Sequence, residues 1–255
     1  MNKFSYKQKI LGALLSLAIM SFFGAMTSSQ VWADTMILTP TQDTYIAWNQ
    51  TVVSPTGDVN EQNYGSATGL GVGAYAYPTV PASWGWNYKY RSLVQFDLSS
   101  IPAGLNITSV SLVLTRSSYN ANLVTADVIR MADDSWDAGT INWNTAPSAF
   151  TAATISGALD TVSIDYYLWT FDLSAWNMAE DLADGLVTFL LKDQNDQTFT
   201  PSRSMSFFSS ELSSAAPQLV ITYDSQVPIP GSFLLLGSGL LGLEAWRRFR
   251  TKPLI

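Results

Sequence analysis

The hydrophobic pattern divides the chain into two apolar ends and a long middle of different character. Behind Lys3, Lys7 and Lys9 runs an apolar stretch over 10–26, and near the other end residues 231–246 carry one charge, Glu244, before Arg247, Arg248, Arg250 and Lys252. Between them the apolar residues fall into short runs with period-2 alternation, separated by turn residues, which is the signature of β-strands. Strands are predicted at 36–39, 44–46, 70–73, 92–98, 109–115, 126–131, 168–173, 186–192, 205–208 and 219–223. In SLVQFDL, Val94, Phe96 and Leu98 share one face and Leu93, Gln95 and Asp97 the other. In SVSLVLT, Val110, Leu112 and Leu114 point one way.

One helix is expected among the strands. Ser174 suits an N-cap for AWNMAEDLADG, with Trp176, Ala179, Leu182 and Ala183 facing inward and Gly185 closing the last turn. Many short strands with no alternation of strand and helix give an all-β fold, a jelly-roll-type two-sheet sandwich with one short helix. No internal repeat is visible.

The ends read as targeting segments. A basic start, an apolar run and the small-residue pattern Val31-Trp32-Ala33 make 1–33 a signal peptide for signal peptidase, cut between Ala33 and Asp34; an uncleaved anchor is the alternative. Residues 231–246, 16 in number, span about 24 Å as a helix, a short transmembrane helix against a hydrocarbon core of about 30 Å. Pro228 and Pro230 bar the helix from extending backwards, and the cationic cluster after it keeps the tail cytoplasmic. The expected domains are therefore 1–33, 34–226 and 227–252, with the middle outside the cytoplasm.

Charge sharpens this picture. The 255-residue chain has 13 Lys and Arg against 20 Asp and Glu, yet residues 34–226 hold 6 basic and 19 acidic residues, a net of −13. Such a surface repels phosphate backbones, so no nucleic-acid partner is expected. Cysteine and histidine are both absent. This excludes disulfides, thiol catalysis, imidazole metal ligands and Ser-His-Asp chemistry.

Two resemblances follow from particular strings. The tail VPIPGSFLLLGSGLLGLEAWRRFR, with Val227, Pro228, Pro230, Arg247 and Arg248, resembles the PEP-CTERM sorting signal, with Ile229 where that family usually has Glu. The resemblance implies an exosortase-type processing enzyme, transient anchoring in the inner membrane of a Gram-negative bacterium, and delivery to the cell surface or exopolysaccharide matrix. A plain C-terminal anchor is the alternative. In the middle, DTYI, NYGS, RSLVQFDLSSIPAG, DSWDAGTINWNTAPS and SSELSSAAPQLVITY occur in the order found in the DNRLRE family of extracellular β-sandwich domains, which this region resembles over nearly its whole length. That resemblance implies a non-catalytic module whose partner is polysaccharide, some relatives taking acidic chains such as alginate.

Three groups of residues are candidates for contact with ligand. The stretch AYAYPTVPASWGWNYKYR interleaves Tyr75, Tyr77, Trp84, Trp86, Tyr88 and Tyr90 with Pro and Gly, and so dense an aromatic segment either packs on the sheet or presents a binding face. Lys89 and Arg91 could pair with an acidic sugar. Trp136 and Trp143 could stack on sugar rings, or pin their loop to the sandwich. For the acids, Asp43, Asp172, Glu211 and Asp224 flank strands and suit a structural Ca²⁺, although no loop has diagnostic spacing. DQNDQT at Asp193 lacks the Gly and distal Glu of a calcium loop and reads as a tight turn. No pair of carboxylates is singled out by spacing for glycosidase chemistry, so no enzymatic activity is expected. A structural or adhesive matrix role without specific glycan binding remains the main competitor to glycan binding, and a polysaccharide-degrading enzyme built on carboxylates or on Tyr and Arg is the lesser one.

Overall fold

The computed structural model describes residues 31–49, 58–76, 87–119, 124–146, 155–163, 167–199 and 201–226. Contacts divide the chain into a unit over Asp34–Tyr223 and a second one made of Met1–Ala33 and Asp224–Ile255. Tyr77, Trp84, Trp86 and the sorting residues Val227, Pro228, Pro230, Arg247 and Arg248 lie outside the described residues, as do nearly all of the signal segment and all of the tail helix.

Eleven strands are described: β1 Val31–Leu38, β2 Gln42–Asn49, β3 Gly69–Ala76, β4 Asn87–Asp97, β5 Asn106–Tyr119, β6 Thr125–Met131, β7 Ile155–Ser163, β8 Leu168–Asp172, β9 Leu186–Asp193, β10 Arg203–Phe208 and β11 Gln218–Gln226. The fold is all-β, as the alternation predicts, with one short helix, α1, at Asp181–Asp184. All ten predicted strands are present, most of them longer than expected, and β7 is an additional one.

The strands run in the order β1-β11-β5-β10-β3-β4-β9-β6-β7, with β2 on β4 and β8 on β5. The sheet curls so that β4, β6 and β9 face β5, β8, β10 and β11 across a core that includes Val94, Phe96, Leu112, Phe171, Phe189, Phe207 and Ile221. The corner is β3. Its end pairs with β4, Gly73 against Tyr90, while Gly69 to Ala74 pair with β10, Gly73 against Ser204. Gly73 has φ +138°, and an added Cβ would fall on the Arg203 carbonyl and 2.6 Å from the Ser204 Cα. Only glycine lets three strands meet so closely there.

The second face of β4 is covered too. Ile46, Leu93, Ile129, Met131, Ile141 and Leu190 form a smaller apolar cluster against which Trp136 and Trp143 pack. Leu93 and Gln95, on the opposite face of the strand from Val94 and Phe96, are therefore buried beneath the 132–146 segment.

The helix differs from expectation in its extent. It covers one turn, Glu180 rather than Ser174 stands at its N-cap, and of the four residues expected to face inward only Trp176 is buried. The residues drawn in are Met178 and Asp181. Asp181 is fully buried because Arg130 grips it with Nε and Nη2 at 2.5–3.0 Å and Trp176 Nε1 donates to it at 2.7 Å. A buried charge held this way fixes the segment's orientation more firmly than Ala179 and Leu182 could by turning inward. Gly185 closes the turn in the left-handed region, φ 84°, as predicted.

Candidate functional site

Strand alternation sends the side chains of the β4 segment Tyr88–Arg91 to two different places. Tyr88 and Tyr90 lie on one face and Lys89 and Arg91 on the other, so the residues that the sequence groups together belong to two surfaces.

On the first surface five tyrosines form a continuous wall. Tyr64 stacks on Tyr45 at 4.2 Å, Tyr45 meets Tyr90 edge-on at 5.7 Å, Tyr90 lies against Tyr75 at 5.5 Å, and Tyr75 stacks on Tyr88 at 5.2 Å. The hydroxyls of Tyr75 and Tyr90 share a hydrogen bond of 2.5 Å, and Tyr64 donates to Gln62 Oε1 at 2.8 Å. Burial pushes the phenol groups of Tyr45 and Tyr64 above the ordinary tyrosine range, so both remain neutral donors.

Tyr45 and Tyr90 stand at the side of an open groove of about 800 Å³. Its floor is the outer face of β3, β10 and β5. Leu70 and Val72 point into the core, which leaves Gly69 and Gly71 outward; Met205 and Phe207 do the same for Ser204 and Ser206. Ser118, paired with Ser206, completes the floor, and Ser66 and Thr68 line the near rim. An added Cβ would crowd the neighbouring strands at both glycines. A Cβ on Gly71 would lie 3.2 Å from the Tyr90 Cβ, and one on Gly69 would lie 2.7 Å from the Ser206 Oγ. The absence of side chains on β3 thus seats Tyr90 and keeps the floor flat.

This near rim is tied down by polar contacts. Ser209 donates from its N–H to the Thr68 carbonyl at 3.2 Å and from its hydroxyl to the Ala67 carbonyl at 2.7 Å. The next N–H, Ser210, donates to Asp43 Oδ2 at 2.7 Å. Asp43 is buried, and desolvation raises its pKa to about 6 against the pull of the Ser210 bond.

The second surface is built differently. Trp48 stacks on Phe199 at 6.0 Å and meets Trp143 at 6.4 Å. Lys89 Nζ lies 4.9 Å over Trp48 and 5.6 Å over Phe199, and donates to Gln197 Oε1 at 2.9 Å. Burial lowers its pKa from the lysine value, with Asp196 opposing the shift. Arg91 is buried, bonds Asp196 Oδ2 at 2.7–2.8 Å and lies 5.1 Å over Trp143. Both cations are committed to groups of the protein itself.

Trp136 and Trp143 are both half-buried in the covering segment. Trp136 Nε1 donates to Thr188 Oγ1 at 2.9 Å, and its carbonyl accepts from Gln42 Nε2 at 2.9 Å. Gln95 Nε2 reaches the Asp134 carbonyl at 2.7 Å, and Asn63 Nδ2 reaches those of Ala138 and Ile141, each at 2.7 Å. Five polar bonds of this kind, four of them partly buried, pin the segment to the sheet. A small recess of about 370 Å³ beside it is lined by Asp133, Trp136, Asp137 and Thr140.

The four acids considered for calcium do not form one group. Asp43 is engaged with Ser210, Asp172 is exposed and caps the Ser174 N–H at 2.9 Å, Glu211 is exposed, and Asp224 belongs to the other unit. Among the described residues no set of three or more acids converges to hold a metal ion. The DQNDQT turn is a turn, and Arg203 enters it to bond Asp193 at 2.6 Å and the carbonyls of Asn195 and Thr198.

Sequence reasoning misses Tyr45, Tyr64, Trp48, Phe199 and the serine floor. A usable signal exists in GLGVG and SMSFF, where one face of each strand alternates Gly or Ser against an apolar face. A strand whose outward face has no bulk marks close approach or an open surface.

A sandwich that carries an open groove with an aromatic wall and a hydroxyl-rich floor has the build of a sugar-binding module. Residues 34–223 match the model of Carbohydrate-binding module family 96, and the chain belongs to that family. Carbohydrate is thus the class of partner that the module takes. No curated protein matches the chain significantly.

Proposed function

We propose that this is an exported, non-catalytic protein that binds polysaccharide at the cell surface or in the extracellular matrix, through the groove walled by Tyr45 and Tyr90. The observation that carries the reading is the coincidence of a five-tyrosine wall with a floor of Gly and Ser along β3, β10 and β5. Pyranose rings offer an apolar C–H face to an aromatic ring and hydroxyls to serine and backbone groups, so the two parts of the groove match the two parts of a sugar. Among the described residues, none that lines the groove is a carboxylate or a cation that could act as acid, base or nucleophile.

The basic and apolar start and the PEP-CTERM-like tail support export, exosortase-type sorting and transient inner-membrane anchoring. Affinity electrophoresis of the full-length protein through gels containing soluble polysaccharides tests the binding. Retardation that is lost on substituting Tyr90 supports it, and free migration in every gel refutes it. Fractionation of cells carrying a tagged copy tests the route. Recovery at the surface or in the matrix is expected, and full-length protein in the cytosol overturns it.

A further inference from the structure

We propose that the face of β4 opposite the groove carries a second glycan-binding surface, made by Trp48, Phe199 and Lys89. It takes a sugar residue bearing a carboxylate or sulfate, so that one module bridges two chains. The bridging rests on the groove reading above; the second surface stands without it. Trp48 and Lys89 are paired directly across β2 and β4, so their side chains share one face within reach of each other. Phe199 lies nearly parallel to Trp48, at 21° and 6.0 Å, and Trp143 borders Trp48 at 6.4 Å. These rings are half-buried, which leaves part of each open to solvent. An aromatic pair of this size matches the apolar C–H face of a pyranose, and a cation beside it matches an acidic substituent on the sugar.

What sets Lys89 apart is the kind of partner it has. Residues 34–226 contain six cations: Lys89, Arg91, Arg116, Arg130, Lys192 and Arg203. Arg91, Arg130 and Arg203 are paired with the buried carboxylates of Asp196, Asp181 and Asp193 at 2.5–2.7 Å, and Lys192 faces Asp127 at 4.0 Å. Arg116 stands on β5, the floor strand of the groove, two positions from Ser118, and interacts within the protein. Among the described residues, Lys89 has no carboxylate at ion-pair distance. Its ammonium donates to the neutral Gln197 amide at 2.9 Å and lies over the rings of Trp48 and Phe199 at 4.9 and 5.6 Å.

Those partners leave its charge uncancelled. Burial lowers the Lys89 pKa, and Asp196, the carboxylate that opposes the shift, is itself held by Arg91 at 2.7 Å. The ammonium has lost water without gaining a counter-ion, and an anionic group arriving from solvent supplies one. Gln197 is exposed, so that group reaches the ammonium by displacing a surface amide and nothing from the core. The net charge of −13 over 34–226 opposes an acidic chain at long range. Salt screens that repulsion beyond about 8–10 Å, whereas direct contact with a half-buried ammonium is screened much less. A module with sites on both faces of one strand ties two chains together, which a single groove does not do.

The test titrates the full-length protein with hexamers of alginate for the carboxylate, carrageenan for the sulfate and xylan as a neutral chain, at about 0.05 M and about 0.5 M NaCl. Ser118→Trp fills the groove floor from an exposed position. Gln197→Glu gives Lys89 a counter-ion of the protein's own, and Gln197→Ala removes the amide without adding charge. In the Ser118→Trp protein an acidic hexamer should still bind, about fivefold or more weakly at the higher salt. Adding Gln197→Glu or Lys89→Ala should weaken it about tenfold or more, and adding Gln197→Ala should leave it within about threefold. Light scattering from long chains of the three polymers, singly and mixed, should rise with wild-type protein and not with Ser118→Trp or Gln197→Glu. Loss of every acidic hexamer with Ser118→Trp alone overturns the second surface and leaves the groove as the site. Acidic binding that survives both Gln197→Glu and Lys89→Ala, or that responds equally to Gln197→Glu and Gln197→Ala, overturns it too. If no hexamer is weakened by Ser118→Trp, the groove reading falls and the bridging with it, while loss of an acidic hexamer with Gln197→Glu upholds the second surface. Scattering that never rises overturns the bridging, and absence of all binding overturns both readings.

Discussion

Tyr90 and Arg91, adjacent in the chain, deliver their side chains to opposite faces of β4. The tyrosine edges the groove beside Tyr45, and the arginine is buried against Asp196 and Trp143. One residue of register therefore separates a group that faces ligand from one that holds the fold, and substitutions at the two positions should have opposite profiles.

Tyr90→Ala should weaken glycan binding about tenfold or more, the worth of one ring stacked on a sugar plus its buried area, about 1–2 kcal/mol. Tyr90→Phe keeps the ring, loses the bond to the Tyr75 hydroxyl and should bind within about threefold of wild type. Isothermal titration of both variants separates ring from hydroxyl.

Arg91→Met should leave the groove intact and destabilise the fold, because Asp196 then becomes an unpaired buried carboxylate. The loss expected for breaking such a pair from one side is about 3–5 kcal/mol. Arg91→Met with Asp196→Leu removes both charges and should recover most of it. Urea unfolding of the single and double variants gives the comparison, and equal destabilisation in the two would contradict it.

Asp43 should make stability depend on pH in the direction opposite to a salt-bridged acid. Its pKa in the fold is raised from 3.8 to about 6 by burial. Between those values the folded protein binds a proton that the unfolded chain does not, so this residue's contribution to stability falls as pH rises from about 4 to 6 and stays low above that. Asp43→Asn keeps an oxygen for the Ser210 N–H and should stabilise the protein at pH 7.5 by about 1–3 kcal/mol, with little effect at pH 4. Thermal melts of the two proteins across that range check the sign.

Gly73→Ala and Gly104→Ala should differ sharply although both replace a glycine with positive φ. At Gly104, φ 82°, an added Cβ meets nothing within 4 Å, so only the backbone cost of about 1 kcal/mol applies. At Gly73 the methyl group collides with the β10 backbone at Arg203 and Ser204. Gly73→Ala should cost clearly more, and because β3 floors the groove it should also weaken glycan binding. Paired melts and titrations of the two variants measure both effects.

Much of the sandwich was legible because its core strands alternate cleanly. Val94, Phe96 and Leu98 face inward as their spacing demands, and so do Val110, Leu112 and Leu114. Strand β7 was not legible, since its pairing with β6 shifts register twice and ISGALDTVS has no period-2 apolar set. The helix was overestimated because a buried Asp181 breaks the amphipathic pattern that Trp176, Ala179, Leu182 and Ala183 suggest. For the site, the sequence showed that Tyr75, Tyr88, Lys89 and Arg91 are close along the chain. It could not show that Tyr45 and Tyr64 complete the wall, because those contacts form across strands. Nor could it show that Lys89 and Arg91 are already occupied by Gln197 and Asp196.

The turn between β9 and β10 carries one more consequence. Its residues Gln194, Asn195, Gln197 and Thr198 are exposed, the kind of tip where proteases cut first. Arg203 clamps the turn from within through Asp193 and two carbonyls, while Arg91 holds Asp196 from the neighbouring strand. A cleaving enzyme needs that loop to peel away into its own cleft, and both guanidinium anchors must let go before it can. These two arginines act as armour at a natural point of attack.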